Sequence, residues 1–163
     1  LQLKRLIFIT FVLSMTACER PPTLDDVKDN FYKNTSSFNE LEKLACALGQ
    51  EKQKFGTDKI GYGYHLDKVP DDQRIEGIDS LLKKIGAYAL IYKKTKAGNC
   101  SLIIGYFARG FAGNGTIYDY SFQIESPTIL ENTNQSLSDD VENKSVAFDM
   151  PLSDGWYLSY ISN

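Results

Sequence analysis

His65 is the only histidine in the chain, so a Ser–His–acid triad would have to be built on it and a metal site would lack a second imidazole. It lies opposite Tyr62 and Tyr64 in the alternating run Ile60 to Leu66, which puts it on the outer side of a strand. The carboxylates form two groups. Asp71, Asp72, Glu76 and Asp79 crowd a helix start, and Asp139, Asp140 and Glu142 sit in a polar stretch. Paired acids do hydrolytic work only at a separation that the fold sets, and neither group has the spacing of a calcium loop. Solvated helix-start and loop charges account for both. The run Gly110-Phe111-Ala112-Gly113-Asn114-Gly115 follows one strand and precedes another, whereas a phosphate cradle needs a helix N-terminus behind it. It reads as a turn. These patterns predict no catalytic residue, no metal site and no small-molecule cofactor.

Cysteine carries more information. Lys4 and Arg5 precede a charge-free run of twelve residues, Leu6 to Ala17. A spanning helix needs about 20 residues, so this run reads as the apolar part of an export signal covering residues 1–17. Met15-Thr16-Ala17 supplies a small residue at −1 but a large one at −3, followed by Cys18. That order resembles the lipobox of bacterial lipoproteins, with Met15 in place of the usual Leu and Thr16 in place of Ser or Ala. The resemblance implies that Cys18 is lipidated and becomes the acylated N-terminus after cleavage. It also implies, through Glu19 at the next position, sorting to the outer membrane, facing the periplasm. Each buried CH₂ contributes about 0.8 kcal/mol, so two or three chains anchor stably where one does not. With Cys18 taken by lipid, Cys46 and Cys100 remain as an even pair in an oxidising compartment, which predicts a disulfide. It would close a loop of about 54 residues, worth roughly 4 kcal/mol in the chain-entropy account.

Residues 18–23, with Pro21 and Pro22, form a tether, and residues 24–163 are enough for one domain with a real core. The signal segment carries two basic residues and no acidic ones, so a net charge of −3 for the whole chain becomes −5 after cleavage. Lys93, Lys94 and Lys96 cluster at one turn and the other basic residues are scattered, which argues against nucleic-acid binding. Leu24, Val27, Phe31, Phe38, Leu41, Ala45 and Leu48 recur at threes and fours once Asn34 fills the gap, the stripe of a helix capped by Thr23. Asn34 to Ser37 can break it, with a capping box at Ser37-Phe38-Asn39-Glu40 restarting it and Gly49 ending it. A second, short helix carries Ile75, Ile78, Leu81, Leu82 and Ile85 and stops at Gly86. Ala87 to Glu125 reads as a three-stranded meander whose second turn contains Asn114-Gly115. Residues 126–144 form a long polar loop, and residues 145–150 and 155–161 are further strands. The expected fold is α+β, with an N-terminal helix or helix pair and a short second helix on one face of a mainly antiparallel sheet.

Aromatic residues concentrate in the meander and fall on both strand faces, so some are expected at the surface. In a regular strand Phe107, Arg109 and Phe111 share a face. Together with Tyr118 and Tyr120 they make a candidate partner surface, since Arg beside aromatics is a common interface composition. Small acidic lipoproteins of α+β build resemble the periplasmic immunity proteins of contact-dependent and secretion-system toxins, a likeness of size, location and charge. The implied function is a non-catalytic binding module, an inhibitor or immunity-type protein with a protein partner. The alternatives are a small envelope hydrolase using carboxylates, or a structural, pilotin-like accessory of an envelope machine. The anchor has a direct test. Replacing Cys18 by Ser is expected to abolish acyl labelling and leave uncleaved precursor; processed, soluble Ser variant in the periplasm would rule lipidation out.

Overall fold

Helix α1 spans Leu24–Lys33 and starts on a closed capping box. The Thr23 hydroxyl accepts from the Asp26 amide at 3.2 Å, and the Thr23 amide donates to the Asp26 carboxylate at 2.8 Å. Those bonds from Thr23 hold the Asp26 carboxyl below the usual carboxylate range. The structure is a computed structural model that describes residues 20–52, 62–65, 73–111, 114–129 and 146–162. The export signal, Cys18, Asp71, Asp72 and the acidic stretch at Asp139, Asp140 and Glu142 lie outside the described residues, as do the side chains of His65 and Phe111.

The break in the first helix is shorter than its composition suggests. Only Asn34 leaves the helix, and α2 runs over Thr35–Lys52. Asn34 serves both neighbours: its amide donates back to the Asn30 and Phe31 carbonyls, while its own carbonyl accepts from Ser37 and Phe38. Ser37 is therefore buried inside α2 and is not the cap of a restarted helix. Gly49 does not end α2 either. The ring of Tyr92 presses on the helix there, so closely that a Cβ on residue 49 would fall 2.4 Å from Tyr92 Cδ2. The glycine is required for close approach rather than for termination. Helix α3, Gln73–Ile85, ends as expected at Gly86, whose φ of +75° suits a residue without Cβ. Among the described residues no helix is long and apolar enough to cross a membrane.

Six antiparallel strands form one sheet in the order β1-β2-β3-β4-β6-β5. They are β1 (Tyr62–His65), β2 (Ala89–Lys94), β3 (Cys100–Phe111), β4 (Asn114–Phe122), β5 (Val146–Pro151) and β6 (Trp156–Ser162). Strands β2, β3 and β4 are the expected meander, and the architecture is α+β. The turn chemistry falls elsewhere than expected. Asn114 and Gly115 lie within β4, paired with Phe111 and Gly110, and Gly115 is needed because a Cβ would fall 2.4 Å from the Arg109 carbonyl oxygen. Asp154-Gly155 makes the type I′ hairpin instead: φ is +51° and +83°, and the Trp156 amide donates to the Ser153 carbonyl at 2.8 Å.

All three helices lie on one face of the sheet. Phe31 and Phe38 meet Tyr120 and Trp156 in an aromatic cluster, with Phe38 at 4.7 Å from Tyr120 and 5.3 Å from Trp156 between ring centroids. The Tyr120 hydroxyl donates to the Val27 carbonyl at 2.7 Å and accepts from the Asn30 amide at 3.0 Å, while the same Asn30 nitrogen donates to the Ile85 carbonyl. One phenol thus fastens α1 to β4, and Asn30 extends the tie to the end of α3. Cys46 on α2 and Cys100 at the head of β3, both buried, lie at disulfide distance with Cα atoms 5.6 Å apart. Replacing Tyr120 by Phe keeps the ring and removes the hydroxyl, so a loss of about 1–3 kcal/mol is expected in denaturant unfolding. An unchanged midpoint would show that these hydrogen bonds contribute nothing net.

Candidate functional site

The five residues expected to share an exposed surface do not do so. Tyr120 is fully buried and Tyr118 is 7% exposed, both turned toward the helices. Phe107 is half-buried against the same core, its ring 6.2 Å from Tyr118. Arg109 is exposed, in register with Thr116, and the side chain of Phe111 lies outside the described residues. For Phe107 the cause is a β-bulge. The pairing runs Gly105↔Asp119 and then Phe107↔Tyr118, so Tyr106 is an extra residue in β3. Tyr106 and Phe107 consequently both turn to the helix side, Tyr106 packing 5.2 Å from Tyr120. In an unbulged strand Phe107 would have projected from the other face.

That other face carries no helix of the described chain. Its registers align three rows of side chains across the strands. The central row is Ala89, Gly105, Asp119, Ser159 and Asp149, in strand order from β2 to β5. On one side lie Ile117 and Ile161, and on the other Ile91, Ile103, Ser121 and Tyr157. The isoleucines and Tyr157 are half-buried, and among the described residues no helix packs on this side. Tyr88, 42% exposed, lies over Gly105; a Cβ at that glycine would fall 2.7 Å from the Tyr88 ring.

The two carboxylates of the central row differ in environment. Asp149 is fully engaged: the Ser159 hydroxyl donates to one of its oxygens at 2.6 Å and the Thr128 amide to the other at 2.8 Å. The Asp149 amide donates in turn to the Thr128 carbonyl, so the chain after β4 is fastened along the β5 edge. Ser121 and Ser159 share a further hydrogen bond at 2.9 Å. A carboxylate holding a serine proton orients that hydroxyl without making it a nucleophile, because the serine pKa lies far above its own. Asp119 has no such support, and burial alone pushes its carboxyl up to about 6. It is an acceptor set among small neighbours, Gly105, Ser121 and Ser159, and surrounded by bulky apolar side chains.

At the end of the sheet where β2 turns into β3, an open cleft of about 580 Å³ is lined by Thr95, Lys96, Asn99, Gln123, Glu125 and Tyr157. The Lys96 amide donates to the Glu125 carboxylate across it. Gln123, at φ +47°, bends the chain out of β4 and donates its amide to the Gly155 carbonyl. Tyr157 belongs to both the cleft and the helix-free face. Among the described residues, no group of three or more His, Cys, Asp or Glu side chains could hold a metal ion.

No protein-family model matches the chain, and neither does any curated protein or solved structure. In sequence Asp119 is one of Ile117, Asp119, Ser121 and Gln123, which alternate with Tyr118, Tyr120 and Phe122 as the more polar side of a strand. The available signal was an Asp, poorly suited to strands, in the middle of an aromatic one. Its protonation has a defined consequence. With a folded pKa near 6 against an ordinary 3.8, the native chain holds more protons than the unfolded one between those values. Stability therefore falls as pH rises from about 4 to 6 and stays lower above, by at most about 3 kcal/mol. Asp26, with a lowered pKa, acts in the opposite sense and only below 3.8. Urea midpoints at pH 5 and 8 are expected to differ in the native chain and to converge in Asp119→Asn; an unaltered pH slope in the variant would remove Asp119 as the source.

Proposed function

We propose that the protein is a lipid-anchored binding module of the bacterial envelope, held to the outer membrane through Cys18 and exposed to the periplasm. Its partner is another protein, which it inhibits or neutralises in the manner of an immunity protein. The observation that carries this reading is the sheet face that bears no helix among the described residues, where half-buried isoleucines and Tyr157, with the exposed Tyr88, surround acidic side chains. Apolar surface of that kind, rimmed by polar groups, is characteristic of protein interfaces. The bridging distance between Cys46 and Cys100 supports an oxidising compartment. The acidic charge of the chain suits a basic partner by accelerating encounter.

One observation favours a second reading, a carboxylate hydrolase. Asp119 and Asp149 flank Ser159 on neighbouring strands, one carboxyl raised toward neutrality and the other hydrogen-bonded by two donors. Acid and base pairs are made by such divergence. Two strand spacings put their backbones about 10 Å apart, on a sheet surface rather than in a closed cleft, so this reading ranks second. Purifying the full lipidated chain from detergent-solubilised envelopes separates the two. A stoichiometric protein partner is expected; turnover of an envelope polymer that disappears in Asp119→Asn, with no partner retained, would replace the binding module with the enzyme.

A further inference from the structure

Asp119 lies near the middle of the helix-free face, with Ser159 and Gly105 as its cross-strand neighbours and Ile117 and Ser121 two positions away along β4. Tyr88, Ile103, Ile161 and Tyr157 stand around that group of small side chains. By register, this makes a socket of small side chains around one carboxylate, with an apolar rim and the Tyr88 ring over Gly105. Lys93 is on the same face but pairs with Ser101, about 16 Å from Asp119 by strand geometry. Among the described side chains the other charged group in these rows is Asp149, also acidic, while His65 of β1 is in register with Ala89 at the far end of the central row.

We propose that this socket receives an arginine or lysine side chain of a protein partner, seated on Asp119 and enclosed by the isoleucine and tyrosine rim. The inference rests on the binding-module reading and names the chemistry that the partner must bring. Covering the face with a neutral or acidic surface would strand a carboxylate away from water, whereas a cation restores its lost hydration with a charge-assisted bond. The rim excludes water and strengthens that bond. Arginine fits best, since its flat guanidinium can lie against the Tyr88 and Tyr157 rings while donating to Asp119 and the serine oxygens. The same charges exclude other occupants. A second copy with its two-fold axis on the socket would set Asp119 against its own equivalent. An anionic lipid surface or a nucleic acid would be repelled.

The test selects a random-sequence peptide library on the immobilised full chain in detergent. Enriched peptides are expected to carry Arg or Lys flanked by apolar or aromatic residues. Their affinity is expected to fall by about tenfold or more in two independent ways: when the chain carries Asp119→Asn, and when the peptide's arginine is replaced by uncharged citrulline. The second change is on the ligand, so it does not depend on how the variant folds. Tyr88→Ala, at the rim, is expected to weaken the same peptides. Failure to enrich any sequence, enrichment of peptides without a basic residue, or affinities indifferent to both changes would overturn the proposal. A natural partner that co-purifies and binds Asp119→Asn as well as the native chain would also overturn it, while leaving the binding-module reading intact.

Discussion

The helices and the sheet hold each other through Tyr120. Its ring completes the cluster of Phe31, Phe38 and Trp156, and its hydroxyl bonds to the backbone of α1 and to Asn30. A phenol buried this deeply must find hydrogen-bond partners or lose their worth in full. Position and direction of α1 are therefore determined together, and α3 follows because Asn30 also reaches the last carbonyl of α3. At the far side of the helical layer, the Cys46–Cys100 pair ties α2 to the head of β3, and the Tyr92 ring seats against Gly49.

Committing Tyr120 to the helices settles the fate of both sheet faces. Every second residue of β4 follows it inward, which buries Tyr118 and Phe122. The intervening residues, Ile117, Asp119 and Ser121, are left on the side without helices. The bulge at Tyr106 adds to this asymmetry, since it turns Phe107 inward as well. The aromatic content of the meander is thus spent largely on the core, and the exposed side is built of isoleucines, serines and acids with tyrosines at its margin.

The polar arrangement on the helix-free side has two parts with different roles. Asp149 is saturated by Ser159 and Thr128 and serves to fasten the segment after β4 along the sheet edge. Asp119 has no hydrogen bond of that kind, and burial raises its carboxyl pKa. A carboxylate kept in that state destabilises the domain by itself. A cation brought by the proposed partner would offset that cost, which connects the electrostatics of the sheet to the proposed function.

Much of the fold was legible in the chain because local periodicity carries it. The stripe from Leu24 to Leu48, the arrest at Gly86 and the alternation in Tyr118, Tyr120 and Phe122 depend only on whether a residue is apolar and how far along it sits. The pairing of Cys46 with Cys100 followed from a count of two. Tertiary structure alone decided the rest. A period of two says that a strand has two faces and not which one is covered, and one inserted residue at Tyr106 reverses the pattern beyond it. Gly49 looks like punctuation in sequence but is demanded by the Tyr92 ring from a distant strand. Asp119 looks like an ordinary solvent-facing acid until Gly105, Tyr88 and Ser159 close around it. Such features arise from contacts between segments far apart in the chain, and no local window of sequence contains them.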